Sequence, residues 1–146
     1  MKITLTSKPK AKPDFTKLGF GKYFTDHMLL MEYHNGVWGE PEIIPYDDFK
    51  MSPATNILHY GQGIFEGVKA YKDNNGKITT FRIDENIKRM NKSAERLCMP
   101  TLDADVVIPA IFELIKIEKD WIPTESGTAL YIRPTMIADD PMLGVH

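Results

Sequence analysis

The sequence predicts an α+β fold, a mostly antiparallel sheet with helices packed against it, and three observations carry that reading. Short extended runs come first, joined by turn-forming residues. Two amphipathic helical stretches are inserted after them, and a further extended run follows. No internal repeat and no strand–helix–strand alternation is visible, which argues against a doubly wound dinucleotide fold. The expected organisation is an extended basic lead-in over residues 1–18, one domain over 19–138 and the start of a loop over 139–146.

The elements follow in order. Lys8, Lys10 and Lys12 alternate with Pro9 and Pro13, the composition of a solvated, extended lead-in. Residues 24–33 (FTDHMLLMEY) read as a strand. His34-Asn35-Gly36 supplies the turn, since Asn and Gly tolerate positive φ, and residues 39–45 hold a second extended run. Residues 46–57 carry Pro53 and several small polar side chains and read as a loop. Residues 68–72 and 78–82 form a hairpin around Asp73-Asn74-Asn75-Gly76.

Asp84 is the expected N-cap of a helix that Pro100 must end. Within it Ile87, Met90, Ala94 and Leu97 recur at three- and four-residue steps, a stripe that faces a core. A second helix is expected from Asp103 or Asp105 to Lys119, with Val106, Ala110, Ile111, Leu114 and Ile115 inward. Pro109 lies in its early turns and argues for a later start. Residues 128–138 (TALYIRPTMIA) read as a final strand, and Asp139-Asp140-Pro141 breaks the pattern.

Composition narrows the function classes. A hydrophobic content of 42% with 26% charged residues is that of a soluble globular domain. No apolar run reaches the length of a membrane-spanning helix. The formal charge is −2 and the basic residues form no stripe, so nucleic-acid binding gains no support. The N-terminus has neither the apolar core of a signal peptide nor the character of a transit sequence, and the expected location is the cytoplasm. Cys98 is the only cysteine, which rules out a disulfide framework; its helical spacing predicts a buried, inert thiol. His27, His34, His59 and His146 have no spacing that suggests a shared metal, and no Gly-x-Ser-x-Gly elbow is present.

Three constellations remain. Leu58–Val68 (LHYGQGIFEGV) carries three glycines in seven residues, which permits either close approach of a ligand or a simple glycine-rich corner. Arg89, Ser93 and Arg96 share one helix face; a guanidinium there suits a phosphate dianion but is also common on solvated faces. Tyr131 and Arg133, two apart on a strand, project to the same side, where they could orient a carboxylate or line a wet sheet face. Leu130 and Ile132 would then fill the buried side.

The order of five blocks resembles a known family: residues 24–28 (FTDHM), LHYGQGIFEGVKAY, FRIDENIKRMNKSAERLCMP, KDWIP and ALYIRPTMIADDPMLGV. They are similar to the branched-chain amino acid aminotransferases, pyridoxal 5'-phosphate enzymes of fold type IV, from about Gly19 onward. The resemblance implies the small N-terminal domain of an enzyme that moves the amino group of leucine, isoleucine or valine to 2-oxoglutarate. Arg89 matches the arginine that binds the cofactor phosphate. Phe20, Tyr60 and Phe65 match aromatic positions of the substrate pocket, and Tyr131 and Arg133 match the polar pair at its edge. Leu143 and Val145 match a loop that reaches the partner subunit's pocket in the family homodimer. The family lysine that holds the cofactor covalently belongs to the larger domain, and no lysine here sits in a comparable block. The resemblance therefore implies that this stretch alone is inactive. A D-amino acid aminotransferase, an aminodeoxychorismate lyase and a non-enzymatic dimerisation or binding module are the alternatives.

Overall fold

The computed structural model describes residues 1–144. Its first sheet joins β1 (Lys2–Ile3), β2 (His27–Leu30) and, beyond a small hairpin of β3 (Tyr33–His34) and β4 (Val37–Trp38), β5 (Glu42–Pro45). β5 is central, parallel to β1 and antiparallel to β2. The expected strand over 24–33 thus shortens to four residues. Its C-terminal end turns away to start the hairpin, in which Asn35 and Gly36 take φ of 52° and 85°. Two successive positive φ values match a hairpin's natural twist, and Tyr33 faces Trp38 across it.

A short helix, α1 (Asn56–Tyr60), follows; it lies where sequence suggested a loop and a glycine-rich corner. Five residues give too little periodicity to recognise. Its first amides are satisfied from far along the chain: Asn56 N–H donates to the Asp140 carbonyl and Ile57 N–H to that of Ala138, both at 3.0 Å. β6 (Gly63–Phe65), β7 (Val68–Lys72) and β8 (Ile78–Thr80) come next, with β7 and β8 forming the expected hairpin. The Asp73 carboxylate holds its turn, accepting from Asn75 N–H at 2.9 Å and Lys77 N–H at 2.8 Å.

Helix α2 (Ile83–Arg96) begins earlier than Asp84 implies. Arg82, at φ 49°, occupies the cap position and no side chain caps the helix; Asp84 instead sits in the first turn, favourable for the helix dipole. The stripe is right for Ile87, Met90 and Ala94, but Leu97 lies past the last turn and is exposed. Cys98 also lies outside the helix and is exposed, contrary to the expected buried thiol. Its φ of 53° puts it in the left-handed position of a Schellman ending, where Met99 N–H donates to the Ala94 carbonyl at 2.9 Å and Cys98 N–H to that of Glu95 at 3.3 Å.

Helix α3 (Ala104–Ile117) starts at the earlier of the two expected caps, with the Asp103 carboxylate accepting from Asp105 N–H at 2.9 Å. Pro109 is accommodated inside it. Burial of Val107, Ala110, Ile111 and Ile115 offsets a penalty of about 3 kcal/mol for an interior proline. Ala110, Ile111 and Ile115 are buried as expected, while at the start of the stripe Val107 faces inward in place of Val106, which is exposed.

The last extended stretch is divided into β9 (Leu130–Ile132) and β10 (Thr135–Ile137), which pair with β7 and β6 respectively. Ile132 lies opposite Val68 and Thr135 opposite Phe65, so register continues through the break without an inserted residue. Glu66 then faces Pro134, and Glu66 N–H donates to the Pro134 carbonyl at 2.9 Å. The two halves form one antiparallel ribbon, interrupted on both strands at the same level. Proline supplies no N–H to a ladder, which accounts for the interruption.

Two apolar clusters lie beneath this ribbon. One gathers Val68, Ala70, Ile83, Ile87, Val107, Ile111, Ile115 and Ile122, with Leu130 and Ile132 against it. The other gathers Ile64, Met90, Ala94, Met99 and Met136. Helix α2 contributes to both, and the ribbon break falls between them.

Candidate functional site

The ribbon's alternation sets the site. Ile64, Val68, Ala70 and Met136 are buried, so Phe65, Gly67, Tyr131 and Arg133 fall on the other side. Four of the expected site residues meet there. The Arg133 guanidinium lies 4.3 Å from the centre of the Phe65 ring and donates from Nη2 to the Tyr131 hydroxyl at 3.0 Å. Phe20 meets Tyr131 edge to face at 5.0 Å between ring centres. Gly67 permits this packing, because a methyl group on its Cα would overlap the Tyr131 hydroxyl oxygen. Phe20 and Phe65 remain 75% and 64% exposed, an aromatic wall with a cation at its edge.

Tyr60 stands apart from those four. It ends α1, and its hydroxyl accepts from Gly144 N–H at 2.8 Å, so the structure brings it to the segment containing exposed Leu143. Val145 lies outside the described residues.

Arg89 is not in direct contact with the aromatic group. It reaches the ribbon through Glu66, the neighbour of Phe65, in a two-pronged pair: Nε–H to Oε1 and Nη2–H to Oε2, each 2.9 Å. Asn86 Nδ2–H donates to Glu66 Oε2 at 3.0 Å and to the Gly67 carbonyl at 2.9 Å. Arg89's hydrogen bonds hold the Glu66 carboxyl below its usual pKa despite partial burial, with Asn86 and the Gly67 N–H assisting. The same pair holds Arg89's own pKa up. Ser93 turns its hydroxyl back to the Arg89 carbonyl at 3.1 Å, and Arg96 is exposed. Of the expected trio on that face, Arg89 alone is tied to the ribbon.

Glu66 and Asn86 are the participants that sequence reasoning missed, whereas Gly67 belongs to the glycine-rich stretch it singled out. Glu66 had a signal: it occupies an inward position of an alternating stretch, between Ile64 and Val68, where a carboxylate needs partners. Asn86 had none, because a buried amide on a helix is recognised only once its acceptors are placed.

The α+β layers are those of the fold-type IV aminotransferases, the class of the solved structures that superpose on this chain. Within that class the chain belongs with the branched-chain aminotransferases and corresponds to an N-terminal segment of them. It is 51% identical to branched-chain-amino-acid transaminase 1 of Bacillus subtilis over 137 residues, covering 93% of the chain. Against the mitochondrial branched-chain-amino-acid aminotransferase of Mus musculus the identity is 44% over 147 residues, covering 99%. The chain spans 38% and 37% of the lengths of these two relatives. No family model matches. Among solved structures, the Escherichia coli branched-chain amino acid aminotransferase superposes with a TM-score of 0.59 at 27% identity, over 82% of this chain and 35% of that one. The branched-chain amino acid aminotransferase of T.th., complexed with N-(5'-phosphopyridoxyl)-L-glutamate, gives 0.60 at 27%, over 84% and 36%.

Proposed function

We propose that this chain forms the phosphate-anchoring and substrate-lining part of a pyridoxal-phosphate-dependent aminotransferase that acts on leucine, isoleucine and valine with 2-oxoglutarate. The observation that carries this is the group of Phe20, Phe65, Tyr131 and Arg133 on one side of the ribbon. It stands in a chain 51% identical to a curated branched-chain-amino-acid transaminase. An aminotransferase that alternates between a branched side chain and a dicarboxylate must hold apolar and anionic groups in one pocket. Aromatic faces supply the apolar contact. A guanidinium at the rim supplies charge-assisted hydrogen bonds to a carboxylate, which would be costly to bury unpaired.

The residues present fit a phosphate-bearing cofactor. Glu66 takes Arg89's Nε and one Nη2 hydrogen, and among the described residues no acceptor takes its Nη1 side. Arg89 would hold the phosphate there, and Tyr131 with Arg133 would orient the substrate carboxylate. When bound, the cofactor supplies the electron sink through which an amino group passes to a 2-oxo acid. The family's covalent lysine lies outside the matching blocks, so the present residues bind and orient. A homodimer in which the loop carrying Leu143 and Val145 approaches a partner's pocket, and a cytoplasmic location, complete the proposal.

The test is an assay of the natural protein carrying this sequence with leucine and 2-oxoglutarate. Formation of glutamate in the presence of pyridoxal phosphate is expected. Its absence with leucine, isoleucine and valine alike would overturn the proposal.

A further inference from the structure

We propose that Glu66 is a positioning residue: it grips one edge of Arg89 so that the other edge is presented, already oriented, to a phosphate ester. This rests on the phosphate-anchoring role proposed above and assigns a residue beyond it. Glu66 occupies an inward position of the ribbon, where Ile64 and Val68 on either side are buried. Its own side chain is 13% exposed, and a carboxylate so placed needs donors. The structure provides four: Arg89 Nε–H and Nη2–H, Asn86 Nδ2–H, and, at 3.3 Å, the Gly67 N–H. Three come from two helix α2 side chains one turn apart and one from the ribbon itself, so the carboxylate is fixed from both sides.

A guanidinium has two edges that can each make paired hydrogen bonds. Glu66 takes the edge formed by Nε and Nη2. The edge formed by Nη1 and the second Nη2 hydrogen has no acceptor among the described residues. Arg89's side chain is 59% exposed, and an unrestrained arginine there would surrender several rotatable bonds on binding an anion. Glu66 and Asn86 remove that loss in advance, which is preorganisation. The arrangement has an opposing electrostatic effect, since a carboxylate beside the site repels a phosphate. The two roles therefore predict opposite signs for its removal. If Glu66 orients, its loss weakens phosphate binding; if it only repels, its loss strengthens it.

The same ion pair fixes α2 to the ribbon at the break, one residue from Phe65 and opposite Pro134. Orientation of the anchor and placement of the aromatic wall thus share one connection.

The experiment uses the cofactor-free natural protein, with pyridoxamine 5'-phosphate as probe and pyridoxamine, which lacks the phosphate, as control. Titrations compare the parent sequence with Glu66→Asp, Glu66→Gln and Glu66→Ala. Asp keeps the charge but is one methylene too short, Gln keeps the shape, and Ala removes both. Asp and Ala are each expected to weaken the phosphate-bearing probe about tenfold, the effect of one charge-assisted hydrogen bond, and to leave the control unchanged. Gln, the variant most secure in folding, is expected to weaken the phosphate-bearing probe selectively as well. Unchanged or tighter binding of that probe by Gln, or by folded Ala, would overturn the positioning role, as would equal losses for both probes. Arg89→Ala separates the two proposals: if it too leaves phosphate-dependent binding unchanged, the anchor itself is refuted.

Discussion

At the scale of single residues, Gly67 decides whether the aromatic wall can exist. Its missing side chain is where the Tyr131 hydroxyl lies, and that hydroxyl in turn receives the Arg133 hydrogen bond. Gly67→Ala is expected to displace the Tyr131 ring and destabilise the chain by about 1–3 kcal/mol in urea unfolding, the usual effect of overpacking. Adding Tyr131→Ala should recover much of that loss by opening space for the methyl group. If the double variant is no more stable than Gly67→Ala, steric conflict with Tyr131 is not the cause. Tyr131→Phe leaves the ring in place and removes the acceptor for Arg133. Because the guanidinium is exposed to water, this should change stability by about 1 kcal/mol or less.

At the scale of elements, helix endings are more informative than helix interiors. Helix α2 closes with Cys98 in the left-handed region, where Met99 folds back against Ala94 in the second apolar cluster. A non-glycine residue there costs about 1 kcal/mol or more, partly balanced by the greater unfolded-state freedom of glycine. Cys98→Gly is therefore expected to raise unfolding free energy by roughly 0.5 kcal/mol. A fall would show that the thiol makes a contact that matters more than the backbone. The exposed thiol should also react with a water-soluble maleimide without denaturant, unlike a core cysteine. At the start of α3, Asp103→Ala should cost about 1 kcal/mol through loss of its cap to the Asp105 N–H.

At the scale of the whole molecule, a buried polar network ties the lead-in to the core. Thr6 N–H donates to His27 Nε2 at 2.9 Å, so His27 carries its proton on Nδ1 and donates to the buried Glu118 carboxylate. Lys10 N–H donates to Asp26 at 2.7 Å and Trp121 Nε1–H to the same carboxylate at 3.0 Å, while Lys12 lies over the Trp121 ring. The Lys/Pro segment is thus largely exposed and yet tethered. His27→Ala should cost about 2–4 kcal/mol by leaving the buried Glu118 carboxylate with the Asp26 N–H at 3.3 Å in place of its short His27 partner. It should also increase tryptic cleavage after Lys10, the one lysine of Lys8, Lys10 and Lys12 not followed by proline. Unchanged cleavage would show that the tether does not hold the segment.

The same network carries a pH dependence. Burial pushes the Asp26 carboxyl up, but the Lys10 N–H, Trp121 and Lys12 outweigh it and leave it below its usual value of 3.8. Glu66 is likewise held below its usual 4.5 by Arg89. Both bind fewer protons folded than unfolded, so their contribution is complete above the unfolded values. It is lost as pH falls through the folded ones. The urea midpoint should be level near neutrality and fall from about pH 5 downward, less steeply in Glu66→Gln. A midpoint that rises on acidification would contradict these shifts.

Residue type and spacing by themselves determined the α+β class, the Asn35-Gly36 and Asp73–Gly76 turns, and most of both helices. These depend on local φ preferences and a repeating apolar pattern, which adjacent residues carry in full. Sequence likewise marked out Tyr131 and Arg133, since two residues apart on a strand share a side. Tertiary structure alone decided which distant segments meet. It divided the expected strand over 128–138 at Pro134, set Glu66 against Arg89 and Asn86, and seated Tyr131 over Gly67. It placed Cys98 outside the helix and made His27 a structural tether. The reason is physical: a buried charge, a close approach or an orphaned amide has meaning only relative to its partner. Here those partners lie roughly 20 to 90 residues away in the chain.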